Sequence, residues 1–264
     1  MPFQIKAKLL KNARVKDRYY QLILSCSEVS RVAKPGQFLE IKVAQKLEPL
    51  LRRPFSIHCV KNSKIEILYE VLGPGSEILS KRKPGEYLDI IGPLGNGFSI
   101  RNSGQAILVA GGMGVAPLFF LAEKMAHSKP LVLIGAKTKD LILCEQDFKK
   151  LGCEVKIATD DGSKGYKGYV SELLESILRT TQYLPVGRQA HSRRNTTIYS
   201  CGPKPMLKEV SLISNKRKIP AQLSLEAHMA CGFGVCLGCV VETQDGYKRV
   251  CQEGPVFESE KIVV

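Results

Sequence analysis

The stretch AILVAGGMGVAP, residues 106–117, sets the architecture of the centre of the chain. Ala106–Ala110 is a continuous apolar run that ends at glycine, which suits a strand covered on both faces. Gly111, Gly112 and Gly114 follow at once. Glycines directly after the first strand of an α/β unit form a turn on which a dinucleotide can settle. Pro117 stands where the third glycine of G-x-G-x-x-G would be. Lys137 and Lys139, rather than an acidic residue, follow the next strand, so the residues leave NAD and NADP both open.

The same pattern continues downstream. Apolar segments Leu131–Ile134, Val155–Ala158 and Thr197–Ser200 alternate with helical segments Leu118–Ala126, Cys144–Leu151, Val170–Arg179 and Pro205–Ser214. That alternation predicts a parallel sheet flanked by helices over residues 102–218. Cys201, Gly202 and Pro203 end the last strand, at the sheet edge where ligands of such folds bind. Cys201 also reads as a small residue that packs well in a core. Residues 180–196 have no period and read as an exposed insertion.

Residues 1–101 have a different rhythm. Short apolar segments at Phe3–Leu10, Tyr19–Ser25, Phe38–Val43, Phe55–Val60, Ile65–Leu72 and Tyr87–Ile91 are separated by turns such as Lys34-Pro35-Gly36 and Lys83-Pro84-Gly85. They predict a small antiparallel barrel or sandwich. Within it, Arg53-Pro54-Phe55-Ser56 offers a strand-borne guanidinium, whose planar fork suits phosphate oxygens. Gly73-Pro74-Gly75-Ser76 predicts a close backbone approach and a short helix opening at Ser76, an anion site or a plain turn and cap.

Residues 219–264 form a third segment, too short to fold alone without a metal. It contains ACGFGVCLGC at residues 230–239 and VCQEG at 250–254. Cys231, Cys236, Cys239 and Cys251 thus have the spacing C-x4-C-x2-C plus one distant cysteine, the plant-type pattern for a [2Fe–2S] cluster. Gly232, Gly234 and Gly238 are expected to let the loop curl at φ > 0. Structural zinc is the other reading, but zinc sites usually show two short pairs, and only Cys236 and Cys239 make one. The other five cysteines are scattered and the total is odd, which fits a reducing cytoplasm better than a disulfide framework.

The 264 residues carry a net charge of +14, spread along the chain without a nucleic-acid motif. The excess is expected to attract phosphate-bearing cofactors or an acidic partner. No apolar run is long enough to span a membrane, and no secretory signal is evident at the N-terminus.

Taken in order, R-P-F-S, G-P-G-S, G-G-M-G-V-A-P and C-G-P resemble the ferredoxin–NADP reductase superfamily across nearly the whole chain. Residues 224–257, with SLEAHM before the cysteines and VCQEGPVF after them, are similar to the electron-transfer subunits of dihydroorotate dehydrogenase B. The resemblance implies FAD, one [2Fe–2S] cluster and NAD as cofactors. It also implies an FMN-containing dihydroorotate dehydrogenase catalytic subunit as partner, in a heterotetramer with two of each chain. Electrons would pass from the partner's FMN through the cluster and FAD to NAD+, in pyrimidine biosynthesis. Carried over by position, Arg53, Pro54, Phe55, Ser56, Leu68, Tyr69, Glu70, Gly75 and Ser76 would contact FAD. Gly111, Gly112, Gly114, Cys201, Gly202 and Pro203 would shape the nicotinamide site, with Cys201 near the flavin ring. Cys231, Cys236, Cys239 and Cys251 would bind iron. Rival readings are the electron-transfer subunit of a hydrogenase or of a ferredoxin-linked transhydrogenase, and a zinc-stabilised binding module.

Overall fold

The computed structural model describes residues 2–44, 48–101, 104–180 and 196–263. The chain divides into two compact units. The first comprises Met1–Gly97, Ala227–Val241 and Tyr247–Pro255; the second comprises Phe98–Glu226, Glu242–Gly246 and Val256–Val264. The stretch 219–264 is therefore shared between the units rather than forming a third body. Nearly all of the expected insertion at 180–196 lies outside the described residues.

The first unit is built on seven strands: β1 (Phe3–Lys16), β2 (Tyr19–Ser25), β3 (Phe38–Lys42), β4 (Arg53–Ser56), β5 (Cys59–Lys61), β6 (Lys64–Glu70) and β7 (Tyr87–Leu94). They form one antiparallel sheet in the order β4-β3-β7-β1-β2-β6-β5. The sheet curls on itself, since Phe55 of β4 meets Tyr69 of β6 edge-on with ring centroids 5.6 Å apart. Alternate residues fill the interior, among them Leu22, Leu24, Leu39, Ile41, Ile65 and Ile67, all fully buried. Two short helices complete the barrel, α1 (Ser27–Val32) and α2 (Pro74–Ser80). The sequence pattern did not indicate α1. Helix α2 starts at Pro74 rather than at Ser76, because proline fits the first helical position and Gly73 takes the extended N-cap.

In the second unit the apolar run extends by one residue into β8 (Ala106–Gly111). It is followed by α3 (Val115–Lys124), β9 (Leu131–Ala136), α4 (Glu145–Lys150), β10 (Glu154–Thr159), β11 (Tyr166–Lys167), α5 (Val170–Arg179), β12 (Thr197–Cys201), α6 (Lys204–Arg217) and β13 (Ala221–Ser224). Later come a two-stranded ribbon of β14 (Val240–Thr243) and β15 (Gly246–Arg249), whose residues are divided between the two units, and the second unit's last strand, β16 (Val256–Glu258). The main sheet runs β11-β10-β9-β8-β12-β13-β16 and is parallel except for β16, which pairs antiparallel with β13. The amphipathic helix α5 has Val170, Leu173, Leu174, Ile177 and Leu178 buried. No helix among the described residues is long and apolar enough to cross a membrane.

Candidate functional site

The cysteine loop leaves the second unit's sheet after β13 and returns before β16. Gly232 and Gly234 take φ of +78° and +87°, as the spacing predicts. Gly238 does not; Leu237 holds the left-handed conformation in its place, at φ +57°. Gly238 instead donates its N–H to the Cys236 sulfur at 3.4 Å, and Cys251 donates its N–H to the Cys239 sulfur at 3.4 Å. Cys239 and Cys251 are buried, Cys231 is half-buried and Cys236 is exposed. Exposed Phe233, Val235 and Leu237 lie on the same loop.

Among the described residues no group of three or more His, Cys, Asp or Glu side chains is set to hold a metal ion. The thiols stand in two pairs, Cys231 with Cys236 and Cys239 with Cys251, and the charge of Cys231 reaches Cys251. Zinc needs four ligands converging on one point. A two-iron core takes two protein ligands on each iron, which is what adjacent pairs supply. The donor set and its pairing therefore fit a [2Fe–2S] cluster better than a single ion. Burial opposes a Cys231 thiolate, yet the N–H groups of Cys236, Phe233 and Val235, with the Cys236 thiol, outweigh it and bring Cys231 down to about 6. Burial, then the neighbouring Cys239, pushes Cys251 up to about 12. At neutral pH Cys231 thus favours its thiolate, while Cys251 keeps its proton.

Arg249 links the two cysteine-bearing segments. Its Nη1 donates to the Gly234 carbonyl at 2.7 Å, and its Nε donates to both Glu253 oxygens at 3.2 and 3.1 Å. Its Nη2 also pairs with Glu253. The backbone N–H of Arg249 donates to Glu253 Oε2 at 2.7 Å. Bonding to Arg249 holds the Glu253 carboxyl down at about 2.

Beneath the loop lies Glu40 of β3, fully buried, with no hydrogen-bond partner for either carboxylate oxygen. A Cβ at Gly232 would stand 2.4 Å from Glu40 Cγ, so the loop backbone rests directly on this side chain. Burial raises the Glu40 carboxyl to about 8, against the opposing pull of Arg52; Cys231 adds to the rise and Arg53 also opposes it. The sign for stability follows from linkage. Below about pH 4.5 Glu40 is protonated folded and unfolded. Between there and about pH 8 the unfolded chain releases the proton while the folded chain keeps it, so stability falls as pH rises. The loss amounts to a few kcal/mol, on the order of 1.4 kcal/mol per pH unit at most. In urea titrations at pH 5 and pH 8, Glu40→Gln is expected to remove this part of the fall. Equal pH dependence in the two proteins would refute it.

The R-P-F-S strand is β4, at the edge of the sheet, and all four of its residues are half-buried. The Arg53 guanidinium donates to the carbonyls of Leu51 at 2.8 Å and Arg52 at 3.1 Å. It also lies over Gly75, where a Cβ would come 2.7 Å from Arg53 Nε. An accessible edge strand, a guanidinium and a glycine with no room for a side chain make a cradle that fits a flavin nucleotide. Ser76 takes a different part from a free phosphate-turn hydroxyl. It is the third helical residue, where its Oγ accepts from the N–H groups of Leu72 at 2.9 Å and Gly73 at 3.2 Å. The Tyr69 hydroxyl donates to Asn12 at 2.9 Å, and burial raises its pKa. Leu68 is buried and Glu70 pairs with Arg18, so these β6 residues shape the barrel wall.

At the nucleotide turn, Ala110 and Cys201 are partners across β8 and β12. Gly112, at φ +51°, faces open space. Gly114 is pressed on the next turn, and a Cβ there would stand 1.9 Å from the Cys201 carbonyl oxygen. A Cβ on Gly111 would meet Met206 at 2.6 Å and Pro203 at 2.9 Å. The structure therefore brings Gly111, Gly112, Gly114, Cys201, Gly202 and Pro203 to one end of the parallel sheet. Backbone can approach a dinucleotide there. Cys201 is buried, and burial pushes its thiol up to about 12, so it stays protonated. Sequence reasoning missed Glu40 and Arg249. An acidic residue inside the apolar run Phe38–Val43 was the available signal for the first, and the Arg249/Glu253 spacing for the second.

Residues 226–263 match the family model of the iron–sulfur cluster binding domain of dihydroorotate dehydrogenase B, and residues 108–211 match that of the oxidoreductase NAD-binding domain. The dihydroorotate dehydrogenase B (NAD(+)) electron transfer subunit of Desulforamulus reducens is 41% identical, with 97% of each chain covered. That of Caldanaerobacter subterraneus subsp. tengcongensis is 38% identical, with 100% of each covered. Among solved structures, one of an NADH-dependent reduced ferredoxin-NADP oxidoreductase gives a TM-score of 0.83 at 27% identity, covering 98% of this chain and 90% of the other. A ferredoxin NADP+ reductase from Neisseria gonorrhoeae with bound FAD and NADP shares the fold, with a TM-score of 0.68 at 16% identity, covering 81% of this chain and 91% of the other. With cysteine pairs, an edge-strand cradle and a glycine turn in place, and relatives matched end to end, the chain belongs to the family of dihydroorotate dehydrogenase B electron transfer subunits.

Proposed function

We infer that this chain carries electrons from the FMN of a dihydroorotate-oxidising catalytic subunit to NAD+, within a complex of two catalytic and two electron-transfer chains in the cytoplasm. The two cysteine pairs, three thiols on one loop and the fourth from the segment after β15, carry the reading, because two irons with two thiolates each are what they can hold. Cys231, Cys236, Cys239 and Cys251 bind the cluster. Arg53 and the strand Pro54-Phe55-Ser56 hold FAD, with Gly75 letting the Arg53 guanidinium lie against the start of α2. Leu68, Tyr69, Glu70 and Ser76 support that site through the barrel wall and the start of α2. Gly111, Gly112, Gly114, Gly202 and Pro203 hold the nicotinamide nucleotide, and Cys201 lines the end of the sheet as a neutral thiol. Bound there, a [2Fe–2S] cluster would supply one-electron transfer, NAD+ would accept a hydride and FAD would link the one-electron and two-electron steps. The residues bind, orient and set charge, and no acid–base triad is called for.

The loop side chains Phe233, Val235 and Leu237, exposed around Cys236, give the catalytic subunit an apolar surface on which to dock. The test is an anaerobic visible spectrum before and after NADH, followed by mixing with the catalytic subunit and dihydroorotate. Flavin and cluster bands that bleach with NADH, and orotate formed together with NADH in the mixture, are expected. A colourless, zinc-loaded protein, or bleaching without orotate, would overturn the reading.

A further inference from the structure

We propose that Arg249 is a positioning residue for the cluster, and that the Arg249–Glu253 pair sets the cluster's reduction potential. The inference rests on the iron–sulfur reading of the four cysteines. Arg249 stands two residues before Cys251 and bonds the carbonyl of Gly234, between Cys231 and Cys236. One guanidinium therefore ties the three-cysteine loop to the segment of the fourth ligand. The Arg249 carbonyl also accepts from the N–H groups of Gln252 at 3.1 Å and Glu253 at 2.9 Å, which bends the chain around Cys251. Gly234 holds φ +87°, a conformation that favours glycine, and its open Cα faces the Gln252 side chain.

The arrangement is also electrostatic. The guanidinium lies within the electrostatic reach of Cys251 and Cys239. Reduction adds a negative charge to the cluster, and a nearby cation favours the reduced form. Glu253 offsets part of that cation. It does so as the acceptor of the Arg249 fork, so geometry and charge are adjusted by one contact.

The test is an anaerobic redox titration of the full chain with its cofactors, followed by the cluster's electron paramagnetic resonance, with iron content measured alongside. Arg249→Gln is expected to shift the cluster potential to more negative values. Glu253→Gln leaves the guanidinium in place without its counter-charge and is expected to shift the potential the other way. Arg249→Lys, which keeps the charge without the fork, is expected to recover most of the Arg249→Gln shift. Opposite signs are the decisive result, since a purely structural contact would move both variants alike. Shifts of the same sign, or none, would overturn the proposal. If Arg249→Gln loses its iron, Glu253→Gln decides alone: a positive shift supports the inference, and no shift or a negative one refutes it. A wild-type chain without iron would instead overturn the cluster reading itself, a result distinct from a cluster-bearing wild type whose variants fail to shift.

Discussion

Replacing Cys236 by serine is expected to abolish electron transfer from the catalytic subunit while leaving most NADH oxidation with an artificial acceptor. Cys236 is the exposed member of its pair, and its sulfur accepts the Gly238 N–H. A serine hydroxyl at that place is a far weaker soft-metal ligand than thiolate. The iron paired through Cys231 and Cys236 would lose half of its protein ligands. The proposed FAD and nucleotide sites contain no residue of this loop. Iron content, visible spectrum and two assays read the outcome: dihydroorotate-dependent NAD+ reduction, and NADH oxidation by ferricyanide. Loss of the first by orders of magnitude with survival of the second supports the order of carriers. Parallel loss of both would refute it.

The second large effect is expected at Gly114. An added methyl carbon would lie 1.9 Å from the Cys201 carbonyl oxygen, 2.4 Å from its carbon and 2.9 Å from the Gly202 nitrogen. All three are backbone atoms next to the β8–β12 pairing, where no flexible side chain can yield. Gly114→Ala is expected to cost about 3 kcal/mol or more and to raise the KM for NADH sharply. Gly112→Ala makes the contrast. It meets open space but must hold φ +51°, a cost of about 1 kcal/mol. Thermal unfolding and NADH kinetics on both variants measure the difference. A Gly114→Ala protein with wild-type melting and KM would show that the turn opens more easily than its packing implies.

Much of this molecule could be read from local pattern. Ala106–Ala110 and Leu131–Ile134 announced β8 and β9 because buried parallel strands are apolar throughout, and Val155–Ala158 announced β10 with Lys156 as its one polar residue. Helix α5 was legible to its ends, Val170 and Arg179, from its apolar stripe. The cysteine spacing was equally plain, since ligands on one tight loop must be close in sequence. What escaped depends on distant partners. Strands β13 and β16 are only four and three residues long; β13 is a strand because β12 lies beside it, and β16 because β13 does. Leu237 took a conformation expected of glycine because the loop, rather than residue preference, fixes it. The burden on Glu40 could not be seen without Gly232 above it, and Arg249 became a clamp on the cysteine loop only once Gly234 was folded back to meet it.

The register of β13 and β16 has a consequence for how the cysteine loop can be treated. Ser224 and Val256 are direct partners, so everything from 225 to 255 leaves and rejoins the sheet at a single rung. Chain closure for that excursion is made by backbone pairing, and within it the β14–β15 ribbon and the Val250 N–H on the Cys239 carbonyl at 2.9 Å bring the third and fourth cysteines together, which lowers the entropy cost of gathering them. The excursion thus has hydrogen-bonded ends, and a relative's loop grafted between these two residues would start from closed ends, provided that it also covers Glu40 and keeps the Thr243–Ile262 bridge.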